Sequence, residues 1–249
     1  MMMESTFSNS GKTWLRRLAA VVSLSSGAQA AILSSLTQTR HFRAREHIMR
    51  DGTRDGSVQV LLRGFAYRHR YRPDGTRQIT AFLVPGDICD FGFLSHSAVS
   101  QNVIALPASS VGQLDLSQLA GMVEKHPEIM TGILRCAAIE QSTMQELLVS
   151  VGGRTALHRV AHMLCEMHYR LSKVDLVDAE GSFGFPLTQS ELGDALGLST
   201  VHINRKIQVL RREGLAIWRD KTITLPDPQA LRALCSFDPT YLRAGVPAH

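Results

Sequence analysis

The stretch from Leu187 to Leu215 constrains this chain more than any other. It reads Leu-Thr-Gln-Ser-Glu-Leu-Gly-Asp-Ala-Leu-Gly-Leu-Ser-Thr-Val-His-Ile-Asn-Arg-Lys-Ile-Gln-Val-Leu-Arg-Arg-Glu-Gly-Leu. Thr188 followed by Glu191 is a capping box, in which hydroxyl and carboxylate satisfy two backbone N–H groups where a helix begins. Leu192, Ala195 and Leu196 give that helix one apolar face. Gly197 supplies the left-handed conformation that ends a short helix. Leu198 plugs the turn, and Ser199 is placed to cap a second helix. In that second helix Ile203, Ile207 and Leu210 fall at i, i+4 and i+7 and turn inward. Thr200, Val201, Asn204, Arg205 and Gln208 are left on the opposite side. Gly193 lies where the two helices cross and a bulky side chain would part them. Such a pair is a helix-turn-helix, whose second helix can enter the major groove of duplex DNA. An ordinary helical hairpin would not explain why cap, small residue, turn glycine and apolar positions share one register. Lys206 departs from the pattern, standing where such helices often carry another apolar residue.

Composition sets wider bounds. At 249 residues the chain is long enough for two modest domains. A formal net charge of +5 and a pI near 9.3 suit a polyanionic partner. No apolar run reaches the length of a membrane span, so no membrane role is expected. Cys89, Cys136, Cys165 and Cys235 lie far apart with no C-x-x-C pair. That usage fits reduced thiols and a cytoplasmic setting better than a disulfide framework.

Residues 1–13 read as a flexible tail. Gly11-Lys12-Thr13 resembles the end of a phosphate-binding loop, but Thr6 stands where its first glycine belongs and no strand precedes it. Lys12, Arg16 and Arg17 before Leu18–Leu24 and Ala28-Gln29-Ala30 mimic a secretory signal. The same residues also read as an amphipathic helix, with Leu15, Leu18 and Val22 on one face, and then a second helix from Ala28 to Leu36. A DNA-reading module downstream favours the helices.

From His41 to about Leu116 the period becomes strand-like. Val58, Val60 and Leu62 alternate with polar neighbours, and Pro73-Asp74-Gly75-Thr76 is a hairpin turn. Ile79–Val84, Val99–Leu106 and Val111–Leu114 read as further strands, with Pro85-Gly86-Asp87 as another turn. Short strands separated by turns imply a small antiparallel barrel or roll. Arginines crowd this region, from Arg40, Arg43 and Arg45 to Arg68, Arg70, Arg72 and Arg77. A solvated strand face is the preferred reading, with an anionic ligand as the sharper alternative.

Pro127 opens a long helix to about Val151. Ile133, Ala137, Glu140, Met144, Leu147 and Val151 alternate in spacings of four and three, the seam of a two-stranded coiled coil. Glu140 and the short Ala137 interrupt it. A seam can also pack on its own domain. Pairing is preferred because one recognition helix touches few base pairs, whereas a two-fold dimer reads two half-sites about 34 Å apart. Gly152-Gly153 breaks the helix as a hinge. The next helix, Arg154 to Leu171, turns Leu157, Val160, Ala161, Leu164 and Met167 inward. His158, His162, Cys165 and His168 line its flank. Imidazoles at i and i+4 can share a metal ion, but no supporting carboxylate faces them, so they read as packing side chains. A polar loop leads to the capping box. Ile217–Leu225 is a two-stranded wing turning at Arg219-Asp220-Lys221, and the proline-containing tail from Pro226 is expected to be irregular. No nucleophile–base pair, metal-ligand set or paired carboxylates with a supporting motif point to an enzyme.

The order of roll, long helix, glycine hinge and terminal winged helix resembles the Crp/Fnr family of bacterial transcription regulators. The resemblance spans roughly Trp14 to Leu225. It is most specific at Leu187-Thr-Gln-Ser-Glu-Leu and Leu196-Gly-Leu-Ser-Thr-Val-His-Ile-Asn-Arg205, and Pro85-Gly-Asp-Ile-Cys-Asp90 is similar to the family's sensor turn. The resemblance implies an α+β chain in five parts. A tail at 1–13 precedes an antiparallel β-roll of the cyclic-nucleotide-binding, jelly-roll type at 14–126. A dimerisation helix at 127–151, a winged helix-turn-helix at 152–226 and a C-terminal tail at 227–249 follow. It implies a cytoplasmic homodimer that binds a palindromic promoter site and recruits or blocks RNA polymerase.

By the same resemblance Arg205 contacts guanine. The position of a frequent base-reading glutamate is Val201 here, which can touch only a thymine methyl. Ser199, Thr200, His202 and Lys206 fit phosphate contacts, and Thr188, Gln189, Asn204 and Gln208 complete the expected DNA-facing set. For the sensor, Gly86, Asp87, Cys89 and His96 are the effector-pocket candidates. Members that bind cyclic nucleotides carry an Arg-Ser or Arg-Thr pair after a Gly-Glu turn. Here Gly86-Asp87 is followed by Ser95-His-Ser-Ala-Val-Ser-Gln-Asn-Val103, which has no arginine, so tight cAMP binding is not expected. No cysteine precedes Cys89, so the N-terminal iron–sulfur cluster of oxygen-sensing members is not expected either. Cys89 reads as a small buried residue, with a haem ligand (it or His96) or a redox thiol as alternatives. The effector stays unnamed. The competing reading is a cyclic-nucleotide- or haem-binding signalling protein acting through protein partners.

Overall fold

The computed structural model describes residues 4–243 apart from Thr37, Asp55 and His96, with the backbone alone for residues 4–10. The chain forms two compact units. The first draws on the chain up to Arg70 and on Ala81–Ile139, the second on Tyr71–Thr80 and Glu140–Arg243.

In the first unit two helices, α1 (Glu4–Ala19) and α2 (Ser26–Ser35), pack on each other. Helix already begins at Glu4, where a flexible tail was expected through residue 13. The cause is a close helix crossing: a Cβ on Gly11 would lie 2.8 Å from Leu33 Cα, so only glycine lets the backbones meet. Trp14 and Leu18 are fully buried behind that contact. Ser25 caps α2 by accepting from Ala28 N–H, as the side chains of such caps do.

Strands β1 (Gln38–Phe42), β2 (His47–Met49), β3 (Ser57–Arg63), β4 (Ala66–Tyr71), β5 (Arg77–Leu83), β6 (Asn102–Ala105) and β7 (Ser109–Asp115) follow. They form the antiparallel roll that the turn spacing implied, in sheets ordered β1-β7-β3 and β2-β6-β4-β5. Its core holds Phe42, Leu61, Leu83, Val103 and Val111. The simple alternation expected of β3 is absent, because Val58 through Leu62 are buried on both faces. One face lines the roll and α1 covers the other.

Helix α3 (Leu116–Lys125) and the first half of α4 (Glu128–Gly153), up to Ile139, close the unit. The first half of α4 buries Ile129, Ile133, Cys136 and Ile139, and Gly132 admits Leu18 of α1 and Val22 just beyond it. Ile133, read from the sequence as a seam residue, is thus fully buried within its own unit.

The second unit is built on α5 (Ala156–Ser172), which starts at the N-cap Thr155. The break after the long helix falls just past Gly152-Gly153, since α4 runs through Gly153. Strand β8 (Ser182–Gly184), helices α6 (Gln189–Leu196) and α7 (Thr200–Arg212), and strands β9 (Ile217–Arg219) and β10 (Thr222–Thr224) come next. The wing has three strands in the order β8-β10-β9, one more than expected, because Phe183 of the preceding loop pairs with Ile223. Its turn places Asp220 and Lys221 at positive φ, 46° and 63°, as a tight hairpin demands.

The segment after Pro226 is not irregular. Asp227 accepts from the N–H groups of Gln229 and Ala230, Pro228 takes the first helical position, and α8 (Pro228–Cys235) follows. A 3₁₀ turn covers Pro239–Leu242. Both pack on α5 and bury Leu231, Cys235, Phe237 and Leu242.

Candidate nucleic-acid interface

The helix-turn-helix is fixed at each end by its own backbone chemistry. Thr188 N–H donates to Glu191 Oε2 at 2.8 Å, and Glu191 N–H donates to Thr188 Oγ1 at 3.1 Å. The capping box is therefore complete, and the Thr188 hydroxyl is committed to it. Gly197 ends α6 at φ 65°, ψ 38°, and Leu198 N–H donates back to Gly193 O at 3.1 Å. A Cβ on Gly193 would lie 2.4 Å from Leu198 O, a clash with backbone that nothing can relieve cheaply. Arg159 of α5 donates to Leu196 O at 3.1 Å and satisfies a carbonyl at the C-terminal end of α6. In the same unit, Arg77 pairs with Asp194 at 2.6 Å and Gln78 donates to Asp194 O at 2.7 Å.

Ser199 caps α7 by accepting from His202 N–H at 3.3 Å. Ile203, Ile207 and Leu210 are buried and anchor the helix. The opposite side stands free: Thr200, Val201, His202, Asn204, Arg205 and Gln208 are all exposed, Val201 by 60%. Gln189 and Lys206 are half-buried. Asn204 Nδ2 donates to Gln189 Oε1 at 3.3 Å, which ties the start of α6 to the exposed face of α7. Sequence reasoning missed the exposed cations Arg211, Arg212, Arg219 and Lys221. Their signal was present: two arginines in a last helical turn and a lysine at a wing tip.

The flank of α5 resolves into packing. His162 meets the Phe237 ring edge-on at 5.1 Å and stacks on Tyr241, with Nε2 3.4 Å from Glu146. Burial, and then the Arg154 charge, lower its pKa to about 4 although Glu146 opposes them. His168 packs edge-on against Phe183, and burial lowers its pKa too. Cys165 lies 3.9 Å from Cys235. Tyr241 donates to Glu166 at 2.8 Å; burial raises that carboxyl's pKa and Arg170 opposes. Cys235, Phe237 and Tyr241 belong to the C-terminal segment expected to be irregular.

The sensor turn is occupied from within. Asp87 accepts from Val84 N–H at 2.9 Å, and Arg17 Nε of α1 lies 3.3 Å from its other oxygen. Gly86, at φ 95°, touches Thr13 and Arg17 so closely that a Cβ would lie 2.9 Å from each. The buried Arg68 donates to the carbonyls of Ile88, at 2.9 Å, and Cys89, at 2.7 Å. Cys89 is fully buried among the roll's apolar side chains. His96 lies outside the described residues.

On α4 the described side chains Leu134, Met144, Leu148 and Val149 are exposed by 53, 43, 73 and 57%. Ala137, Glu140, Leu147 and Val151 are half-buried. Among the described residues no helix is long and apolar enough to cross a membrane.

A β-roll followed by a long helix and a winged helix-turn-helix with an exposed polar recognition face is the make-up of a DNA-binding regulator. A model of the Crp-like helix-turn-helix domain matches residues 158–234, and a model of the cyclic nucleotide-binding domain matches residues 39–126. The chain belongs to the Crp/Fnr family of transcription regulators, which are not enzymes. It is 27% identical over 220 residues to the nitrogen fixation regulation protein FixK of Bradyrhizobium diazoefficiens, across 88% of this chain and 91% of that one. It is 25% identical to the transcriptional activatory protein AadR of Rhodopseudomonas palustris, across 81% and 82% of the two chains. The solved structure of FixK2 from Bradyrhizobium japonicum superposes with a TM-score of 0.69 at 25% identity, covering 79% of this chain and 96% of that one. These relatives favour transcription regulation over a signalling role exercised through protein partners.

Proposed function

We propose that this chain is a cytoplasmic homodimeric regulator that reads a palindromic duplex with α7 and thereby recruits or blocks RNA polymerase. The observation that carries this reading is the two-sided character of α7. Ile203, Ile207 and Leu210 hold it to the protein, while Thr200, Val201, Asn204, Arg205 and Gln208 stand on its solvent side. Arg205 forks to guanine O6 and N7, a contact worth about 1–3 kcal/mol of discrimination. Val201 meets a thymine methyl, and Asn204 with Gln189 offers a linked pair of amides to a neighbouring base. Ser199, His202, Lys206, Arg211, Arg212, Arg219 and Lys221 supply phosphate contacts, which set register without reading sequence.

The dimer seam keeps one row of the spacing read from the sequence and moves the other. Ala137, Met144 and Val151 stay, and Leu134, Gln141 and Leu148 replace Ile133, Glu140 and Leu147. The six alternate in steps of three and four. Gln141 is the polar residue that fixes register in such a seam. In the sensor roll, Asp87 is held by Arg17 and a backbone N–H, which supports a roll that does not bind cAMP tightly.

Selection of bound duplexes from a random pool tests this reading. The expected yield is a palindrome with a guanine at a fixed place in each half-site, bound with an affinity that falls steeply as salt rises. Recovery of no consensus, or binding indifferent to salt, would contradict it.

A further inference from the structure

Cys165 lies in the middle of α5, and Cys235 is the last residue of α8. The two helices pack on each other and bring the sulfurs to 3.9 Å, with both side chains buried. A disulfide needs about 2.05 Å, so the sulfurs must close by roughly 1.9 Å. Cys235 closes its helix, and Ser236 beside it takes the left-handed cap conformation at φ 52°. We propose that Cys165 and Cys235 form a reversible disulfide when the protein meets hydrogen peroxide.

The oxidant follows from the burial. The sulfurs are 1% and 3% exposed as residues, which shuts out bulky disulfides but not a small neutral peroxide. Cys235 is the attacking thiol. A hydrogen bond from the Cys165 thiol favours the Cys235 thiolate, burial opposes that, and the Arg154 charge supports it. The Cys235 thiolate takes one peroxide oxygen: an S–O bond forms, the O–O bond breaks, and hydroxide leaves as water once protonated. The Cys165 sulfur then attacks the sulfenic sulfur. The S–S bond forms, the S–O bond breaks, and the Cys165 proton departs with the hydroxide as a second water. Two thiols are oxidised and one peroxide is reduced. The covalent loop so made encloses α6, α7 and the whole wing. Peroxide chemistry is thereby written into the unit that carries the recognition helix.

The test uses the full chain and needs no DNA, so its failure would leave the DNA reading untouched. After peroxide treatment, the denatured, non-reduced protein should lose 2 Da. Alkylatable thiols should fall from four to two, and proteolysis should release one peptide pair linking Cys165 to Cys235. Dithiothreitol should restore all four. Cys165→Ser should abolish the 2 Da loss and gain 16 Da or more instead, whereas Cys235→Ser, which lacks the attacking thiol, should show neither the 2 Da loss nor oxygen on Cys165. The wild-type peptide map stands even if a serine variant folds poorly. Both cysteines still alkylatable after treatment, or a linkage mapping to another pair or between two chains, would overturn the proposal.

Discussion

Helix α7 and the sensor turn both carry polar residues, and they treat them in opposite ways. On α7 the helix ends are tied by caps and the middle is held by three apolar anchors, so Asn204, Arg205 and Gln208 are left unburied. At Gly86–Cys89 the groups are consumed locally: Asp87 by Val84 N–H and Arg17, and the carbonyls of Ile88 and Cys89 by Arg68. The difference teaches that availability, not identity, separates a reading surface from a structural turn. A carboxylate and a guanidinium satisfied inside the protein have little left to offer a ligand, since a buried polar group without partners costs about 1–3 kcal/mol.

Changes to the scaffold should then cost stability, and changes to the exposed face should cost specificity. The largest effect belongs to Gly193→Val, which forces side-chain atoms onto the Leu198 carbonyl. Denaturant unfolding should show a loss of more than about 3 kcal/mol; a loss under 1 kcal/mol would mean that the helices do not cross as closely as described. Next is acid sensitivity. His162 has its pKa lowered to about 4 by burial, against 6.5 when unfolded, so its neutral form is the folded one. That contribution is intact above pH 6.5 and fades as pH falls towards 4, by about 3 kcal/mol in total. His162→Phe keeps the aromatic packing against Phe237 and Tyr241, and should flatten unfolding free energy between pH 6.5 and 5 relative to wild type. Parallel slopes in the two proteins would remove His162 from the explanation. Asp87→Ala should follow, with a drop of about 1–2 kcal/mol from an orphaned N–H and an unpaired Arg17; unchanged stability would return Asp87 to the list of free ligand-binding groups. Smallest in stability is Val201→Glu, within about 0.5 kcal/mol on an exposed position. Its selected half-site should nonetheless gain a cytosine, and an unchanged consensus would place Val201 away from the bases.

The DNA-reading unit was legible because local rules fix it. A capping box, a turn glycine and three apolar positions leave few alternatives, and the structure repeats them residue by residue. What escaped depended on partners distant in sequence. Helix α8 announces itself at Asp227-Pro228, a cap and a first-turn proline, but among several prolines it read as a breaker. The histidine flank of α5 made sense only once Phe237 and Tyr241 were seen against it. On α4, apolar residues lie on more than one side because the first half also packs beneath α1, so a four-three spacing could be drawn through the buried Ile133 as easily as through Leu134. In β3 the cover supplied by α1 erased the alternation that usually marks a strand's inner face.

The most direct measurement compares wild type and Arg205→Ala on two duplexes, the selected palindrome and a random sequence of equal length, at one salt concentration. Affinity for the palindrome should drop by at least about 30-fold, as loss of one bidentate guanine contact in each half-site predicts, while affinity for the random duplex changes by less than about threefold, since most phosphate contacts remain. An equal loss on both duplexes would show that Arg205 only holds phosphate and that α7 does not read bases through it.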